Sequence, residues 1–405
     1  MNISKANIFQ VLSLTINPIL GLIVSLFFML KRKLNPAVLA ISLGIVSIYL
    51  PVMYDVSHSF FLYHDYQKGA LEQNLHAINQ VASYTVGYLG LEYFHVVLIV
   101  TCISLYMWFE MFAKLCEKNK SNSLYITLFF IFILLTTYKE VIDLNRTYLA
   151  YMISVYGLFL HSQERVSKKY LSLIFSLGVY FHLSSIIFVL CYLLSNFLLM
   201  TRLRATVLLF VTFLFGMLID RVIFSIVGFL PESSFLSYIV SEKWGLYQSI
   251  EQGRILLWFV QFFVIFTILL SFPKHGSRRN FSMFVYMVAI LFVFIKFRVF
   301  GERFFISVVL MFPLVIVGIK KNNLGIWILL CAALVKFVIY NVYVFGYVFT
   351  NDYTYVMESR NVRDGNMLKP FYMPTPFLLA IGEYGYSDET ILKYAKRRYI
   401  DEVKQ

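Results

Sequence analysis

The chain has 405 residues, of which 60% are hydrophobic and 14% are charged, and its formal net charge is +13 at pH 7. This composition excludes an ordinary soluble globular domain and is typical of a polytopic membrane protein. The basic residues are scattered over many short loops and form no continuous stripe, so the positive charge does not indicate a nucleic-acid partner.

Apolar runs recur along the chain, and a bilayer crossing takes about 20 residues. Because backbone in lipid must satisfy its own hydrogen bonds, each run is predicted to be helical. The main runs are 8–30, 36–53, 94–112, 124–138, 147–160, 205–219, 255–272, 281–295, 304–319 and 324–349. We therefore expect an all-α polytopic membrane domain over 1–349, with about 10–12 transmembrane helices. The first run lacks a small-residue cleavage site and is predicted to be a retained helix.

The basic loops predict the orientation, because loops rich in Lys and Arg lie on the cytoplasmic side. Their alternation holds only if the run 170–200 enters the membrane and returns. The polar break Tyr-Phe-His-Leu-Ser-Ser at 180–185 suits such a re-entrant or broken hairpin, with His182 at its tip. One tilted helix with His182 in its middle is the alternative.

With this hairpin, the N-terminus and four segments are expected outside, at 54–91, 139–146, 231–254 and 296–303. The segments 54–91 and 231–254 are the larger outer loops. The C-terminal tail, 350–405, also falls outside by alternation, but basic residues near its end suit the cytoplasmic side equally well. The side of the tail therefore stays open.

Four arginines lie at the outer ends of apolar runs, where charge is expensive and basic residues are uncommon. An arginine in the first turn of a helix opposes the helix dipole unless an anion binds there as well. An anionic ligand is therefore the simplest explanation, although Arg146 has alternatives in headgroup contact or in pairing with Asp143. The four are Arg146, Arg254, Arg298 and Arg303.

The stretch 296–303 holds three cations and one acid between two apolar arms. Gly301 is predicted to allow a tight turn between these arms. Glu302 is expected either to pair with a neighbouring arginine or to act in the site. An excess of positive charge remains in both cases.

The loop after Met53 mixes aromatic rings with carboxylates, which suits sugars, because rings stack on sugar faces and acids accept hydroxyl hydrogen bonds. Tyr54, Asp55 and Asp65 are the candidate sugar-binding residues. An interfacial helix with an aromatic belt gives the same pattern. The histidines here, like the four scattered cysteines, lack the spacing of metal ligands, so no metal is expected.

Several short motifs together resemble one known family. Arg146-x-x-x-Ala150 is followed by a basic loop, by Tyr180-Phe-His182-x-Ser-Ser and by an apolar arm ending in Arg202 and Arg204. This block is similar to the central part of EpsG-like membrane proteins, which belong with the Wzy-type O-antigen and exopolysaccharide polymerases. The similarity extends to about residue 349. The Leu144-Asn145 pair before Arg146 departs from the family pattern.

The resemblance implies a GT-C membrane glycosyltransferase in the bacterial inner membrane, with its active site facing the periplasm. It implies undecaprenyl-diphosphate-linked oligosaccharides as donor and acceptor, and it allows a chain-length regulator protein as a partner beside the lipid bilayer. The reaction transfers the growing glycan from its lipid diphosphate to the sugar end of a new unit. The family is regarded as metal-independent, so no cofactor is expected.

Within that resemblance, an inverting displacement is predicted in which Arg146 and Arg303 stabilise the leaving diphosphate, assisted by Arg254 and Arg298. His182 is the first choice for the general base, because an unperturbed imidazole titrates near working pH. Glu140 and Glu302 are the alternative bases.

Two other functions compete. An O-antigen ligase is expected to carry one large periplasmic domain, for which 231–253 is modest. A flippase is expected to place charge inside its helices and to show two related halves.

Overall fold

The computed structural model describes residues 5–50, 54–67, 80, 86, 88–117, 121–137, 139–227, 252–272, 277–316, 324–350 and 368–394. Within these ranges the regular structure is helical and contains no strand, which confirms the predicted all-α class. In the first half of the chain, the described α-helices are α1 (Lys5–Ile16), α2 (Pro18–Leu30), α3 (Pro36–Ile48), α4 (Tyr54–Gln67), α5 (Tyr93–Glu117), α6 (Asn122–Leu135) and α7 (Asn145–Ser162).

A π-helical turn, Lys139–Asp143, joins α6 to α7, and a 3₁₀ turn, Leu183–Ser185, lies between α8 and α9. The remaining helices of the bundle are α8 (Lys168–Phe181), α9 (Ile186–Phe197), α10 (Arg202–Val227), α11 (Gln252–Leu270), α12 (Arg278–Val293), α13 (Arg298–Leu310), α14 (Phe312–Val315) and α15 (Leu324–Thr350). The tail adds the short helices α16 (Lys369–Tyr372), α17 (Thr375–Leu379), α18 (Ile381–Tyr384) and α19 (Asp388–Tyr394).

Three of the described helices are each long and apolar enough to cross a membrane alone, over Tyr93–Cys116, Arg202–Ile219 and Leu324–Asn341. The shorter apolar helices pack around them, and large hydrophobic side chains are exposed on the outside of α1, α9, α10 and α11. Apolar surface of this extent is what a bilayer covers. The chain is therefore a polytopic membrane protein.

The two ends of the bundle differ in their residues. At one end, which we call the basic-loop face, the Arg32 guanidinium lies 5.0 Å from the centre of the Tyr125 ring, and Arg279 lies 4.7 Å from that of Tyr192. The opposite end carries Arg146 and the start of α5. We call it the pocket face, because a small pocket lined by Arg146 opens there.

The run 170–200 forms the predicted hairpin. Its contacts with α7 show the direction of each arm. At the elbow, the Tyr151 hydroxyl lies 2.8 Å from Ser184 Oγ, near the start of α7. Further along α9, the Tyr192 hydroxyl lies 3.2 Å from Nε2 of His161, near the end of α7. The chain therefore rises through α8 and descends through α9, and the hairpin prediction is confirmed.

The apolar run 8–30 is not the single crossing that the sequence predicts. It breaks at Asn17, whose Oδ1 accepts a hydrogen bond of 2.8 Å from the Ile19 amide and so caps α2. Pro18 follows at the first helical position, where its missing N–H costs nothing. An Asn-Pro pair inside an apolar run is thus the sequence signal for this break.

The helices α1 and α2 pack antiparallel. The side-chain amide of Gln10 donates to the Lys33 carbonyl at 2.9 Å, and the rings of Phe9 and Phe28 are 6.1 Å apart. Lys5, at the start of α1, therefore lies at the basic-loop face. The expectation that the N-terminus lies on the opposite side is wrong, because the extra reversal at Asn17 inverts it.

The described part of the tail, 368–394, folds back onto the pocket face. The Asn17 side-chain amide donates to the carbonyls of Pro370 and Met373 at 2.9 and 2.7 Å. The Tyr49 hydroxyl donates to the Leu378 carbonyl at 2.7 Å. These bonds hold the tail across the ends of α1, α2 and α3, on the side where loop alternation puts it.

Candidate functional site

A small pocket of about 40 Å³ opens on the pocket face. It brings together three segments that are far apart in the sequence, namely α4, the start of α7 and the second turn of α13. Two of the four predicted arginines meet there. The lining residues are His58, Ser59, Leu144, Asn145, Arg146, Thr147 and Arg303.

The start of α7 positions Arg146. The preceding π-helical turn ends at Asp143, and the Asn145 side chain accepts a hydrogen bond of 2.6 Å from the Arg146 backbone N–H. That bond satisfies one of the amides that a helix start leaves unpaired. Leu144, Asn145, Arg146 and Thr147 of this first turn line the pocket, so an anion there would meet both a helix N-terminus and a guanidinium.

Arg303 reaches the pocket from inside a helix. The segment 298–310 is continuous α-helix, so Gly301 does not form the predicted turn. Instead, a Cβ at Gly301 would lie 3.3 Å from the Trp258 ring, which is tight for any side chain. Gly301 therefore allows α11 and α13 to pack closely, two residues before Arg303.

The helix α4 supplies His58 and Ser59 to the pocket wall. Its aromatic face packs on the start of α5, where the rings of Phe60 and Tyr93 are 5.5 Å apart. The segment is therefore helical, and its role in binding sugars stays a prediction. The sequence excludes His58 as a metal ligand but assigns it no other role, because no local pattern reveals its proximity to the arginines.

The other predicted ligand residues stand apart from this lining. Asp65 on α4 and Glu302 on α13 are partly buried and do not line the pocket. For four further residues the backbone is helical, but the side chains lie outside the part of the chain that the structure describes. These are Tyr54, Asp55, Arg254 and Arg298.

Glu140 lies in a buried polar network and not in the pocket. Its Oε2 accepts hydrogen bonds from Lys336 Nζ at 2.7 Å and from the Thr137 hydroxyl at 2.8 Å. Its Oε1 accepts one from the side-chain amide of Gln261 at 3.1 Å. A carboxylate held this way is a poor match for the alternative base predicted from the sequence, because each oxygen accepts a hydrogen bond within the buried network and the residue is only 3% exposed.

His182 lies at the elbow between α8 and α9, where its side chain caps the 3₁₀ turn. The Ser184 amide donates to Nδ1 at 3.3 Å, and Ser184 Oγ lies 2.5 Å from the same nitrogen. Ser184 Oγ also lies 2.8 Å from the Tyr151 hydroxyl. His182 is not part of the pocket lining.

The described lining carries two guanidinium groups, one imidazole and no carboxylate. Guanidinium groups form bidentate hydrogen bonds with phosphate oxygens, and these hydrogen bonds become stronger where water is excluded. The pocket is therefore suited to an anion with several oxygens.

Comparison with known proteins gives one result. The model of the EpsG family matches residues 78–355, which is more than half of the chain. The match includes Arg146, His182 and Arg303, whereas His58 precedes it. No curated protein and no solved structure matches the chain.

Proposed function

The chain belongs to the EpsG family, and we propose that it is a polysaccharide polymerase of the bacterial inner membrane. It joins undecaprenyl-diphosphate-linked oligosaccharide repeat units by inverting, metal-independent glycosyl transfer, as a GT-C enzyme. Membership of the family supports a polymerase-like membrane protein. The substrate and the mechanism are our proposal.

The observation that carries the proposal is the meeting of Arg146 and Arg303 in one pocket. Guanidinium groups bind phosphate oxygens through paired hydrogen bonds, so two of them in one pocket favour a ligand that carries phosphate groups. A diphosphate supplies one charged group for each guanidinium. Arg254 lies in the first turn of α11 and Arg298 begins α13, and we assign both to the same lipid diphosphate.

The pocket face is the periplasmic face in this proposal, because the basic loops lie at the opposite end. The lipid tail stays in the bilayer while the diphosphate enters the pocket. As the bond between the sugar and the diphosphate breaks, negative charge grows on the leaving oxygen, and the arginines stabilise it. Tyr54, Asp55 and Asp65 on α4 bind sugars of the donor or the acceptor.

The test compares Arg146→Ala and Arg303→Ala with Arg204→Ala, an exposed arginine at the basic-loop end of α10. Loss of a guanidinium that contacts the leaving diphosphate raises the barrier by about 3 kcal/mol, which is roughly a hundredfold in rate. In a deletion strain complemented with each variant, lipopolysaccharide electrophoresis should show core carrying a single repeat unit for the two pocket variants. Arg204→Ala should give normal polymer.

Wild-type banding in both pocket variants would remove the diphosphate assignment. Bare core in the deletion strain would indicate a ligase or a flippase instead of a polymerase. Membrane levels of each variant are measured in parallel, so that loss of protein is distinguished from loss of activity.

A further inference from the structure

His58 lines the pocket that holds Arg146 and Arg303. It lies on α4, in the wall that also holds Arg146 and Arg303, although α4 is separated in sequence from both arginine helices. We infer that His58 is the general base that removes the proton from the acceptor hydroxyl. This inference rests on the proposed function, because it concerns the same reaction.

The geometry favours His58 over the other candidate bases. Glu140 lies in the buried network with Lys336, Thr137 and Gln261 and does not line the pocket. His182 caps the elbow between α8 and α9 and does not line the pocket either. Among the lining residues that the structure describes, His58 is the group whose ordinary titration range lies near neutral pH.

The proton and electron pairs balance in a single displacement. The acceptor hydroxyl oxygen bonds to the anomeric carbon of the donor sugar, and its proton passes to an imidazole nitrogen of His58. The bond from the anomeric carbon to the diphosphate oxygen breaks, and its electron pair stays on the diphosphate. The imidazolium then lies beside the new negative charge, which stabilises it, until the proton leaves to water.

The packing of α4 holds His58 in place. Phe60, one half-turn further on, is buried against Tyr93 and stacks on His64 with ring centres 6.0 Å apart. The aromatic side chains therefore anchor α4 to α5, while His58 faces the start of α7. His64 lies on the same helix and does not line the pocket, which makes it a matched control.

The experiment measures single-turnover transfer between pH 5.5 and 9 with purified full-length enzyme and a synthetic lipid-diphosphate oligosaccharide. The wild-type rate should rise with pH through the imidazole range and then level off. His58→Gln should lower the maximal rate roughly 100- to 10,000-fold and remove this rise, with donor affinity kept within a few fold. His64→Gln should retain both the rate and the profile. Free imidazole should restore part of the activity of His58→Ala.

Three results would overturn the inference. His58→Gln could transfer at the wild-type rate, or it could weaken donor binding while the maximal rate stays unchanged, which would make His58 a binding residue. The pH-dependent rise could also disappear in His182→Gln and persist in His58→Gln, which would return the role to His182. None of these results affects the proposed function, which fails only if the Arg146 and Arg303 variants make normal polymer.

Discussion

Lys336 Nζ lies 2.7 Å from Oε2 of Glu140, and both side chains are buried. Lys336 comes from the middle of α15 and also donates to the Leu135 carbonyl at the end of α6. Glu140 belongs to the π-helical turn that leads into α7. The ion pair therefore ties α15 to the junction that positions Arg146, and it does so where water does not screen the charges.

Removing one partner of this pair should be more harmful than removing both charges. Lys336→Met leaves the Glu140 carboxylate buried without a counter-charge, which costs about 3–5 kcal/mol. The double variant Glu140→Gln, Lys336→Met leaves no buried charge; the new amide oxygen can accept from Gln261, and its NH2 group can donate to the Thr137 hydroxyl. Thermal unfolding in detergent should therefore show a large loss of stability for the single variant and recovery for the double.

The same double variant separates a positioning role from a catalytic one. If Glu140 only holds the junction before Arg146, the double variant should recover transfer activity together with stability. A stable double variant without activity would instead restore Glu140 as a base. Equal stability of Lys336→Met and wild type would contradict the importance of the ion pair.

The sequence predicts those features of the fold that depend on residues close together in the chain. The helices and the elbow at His182 are readable, because apolar runs and basic loops are properties of contiguous residues. The reversal at Asn17 also has a local signal, the Asn-Pro pair. The apolar run around this pair, however, is long enough for a single membrane crossing. Gly301 is ambiguous in the sequence, because glycine suits both a turn and a close helix contact.

The candidate site is harder to predict from the sequence, because its residues are far apart in the chain and come together only in the folded structure. Lys336 is visible in the sequence as a charge inside an apolar run, which indicates a buried partner. Its partner Glu140 is 196 residues away, and no spacing rule connects them. The meeting of Arg146 with His58 is equally nonlocal. Each arginine is recognisable by itself in the sequence, because it lies at the end of an apolar run where charge is unusual.

His182 should tolerate glutamine and not alanine, if its role is to cap the elbow. A glutamine side-chain oxygen can accept the Ser184 amide hydrogen bond that Nδ1 accepts now, whereas alanine leaves this amide without its acceptor. We expect His182→Ala to destabilise the protein by about 1–2 kcal/mol and His182→Gln by less. Unfolding of both variants in detergent measures this. A stable His182→Gln enzyme that has lost transfer would contradict the capping role.

The reversal at Asn17 has a direct consequence for topology. Cysteines at Lys5 and Lys33 should be labelled from the same side of the membrane, and a cysteine at Ser387 from the other. A membrane-impermeant thiol reagent applied to intact spheroplasts should therefore label only the Ser387 position, in a background without the native cysteines. Labelling of the Lys5 position together with Ser387 would mean that the chain crosses only once before Lys33.

The tail is fastened to the pocket face by a pair of carboxyl groups. The Asp388 backbone N–H donates to Glu92 Oε2 at 2.8 Å, and Asp388 Oδ1 accepts from the Tyr93 amide at 2.9 Å. Burial, together with the neighbouring Glu92 carboxylate, raises the pKa of Asp388 to about 7. The protonated Asp388 side chain is therefore favoured while the tail is docked.

The attachment of the tail should weaken as the pH rises. Asp388 in an undocked tail has the ordinary pKa of an aspartate. Protonation of Asp388 therefore contributes no penalty to docking below that ordinary pKa. As the pH rises from there through about 7, the undocked tail loses its proton more readily than the docked tail, and docking becomes weaker. Between pH 6 and pH 8 the docking constant should fall about tenfold. Hydrogen exchange of the amides in α19, corrected for intrinsic rates, measures this change as a fall in protection. Asp388→Asn retains an acceptor for the Tyr93 amide but does not ionise, so its protection should be independent of pH in this range. A fall in protection that persists in Asp388→Asn would assign the pH dependence to another group.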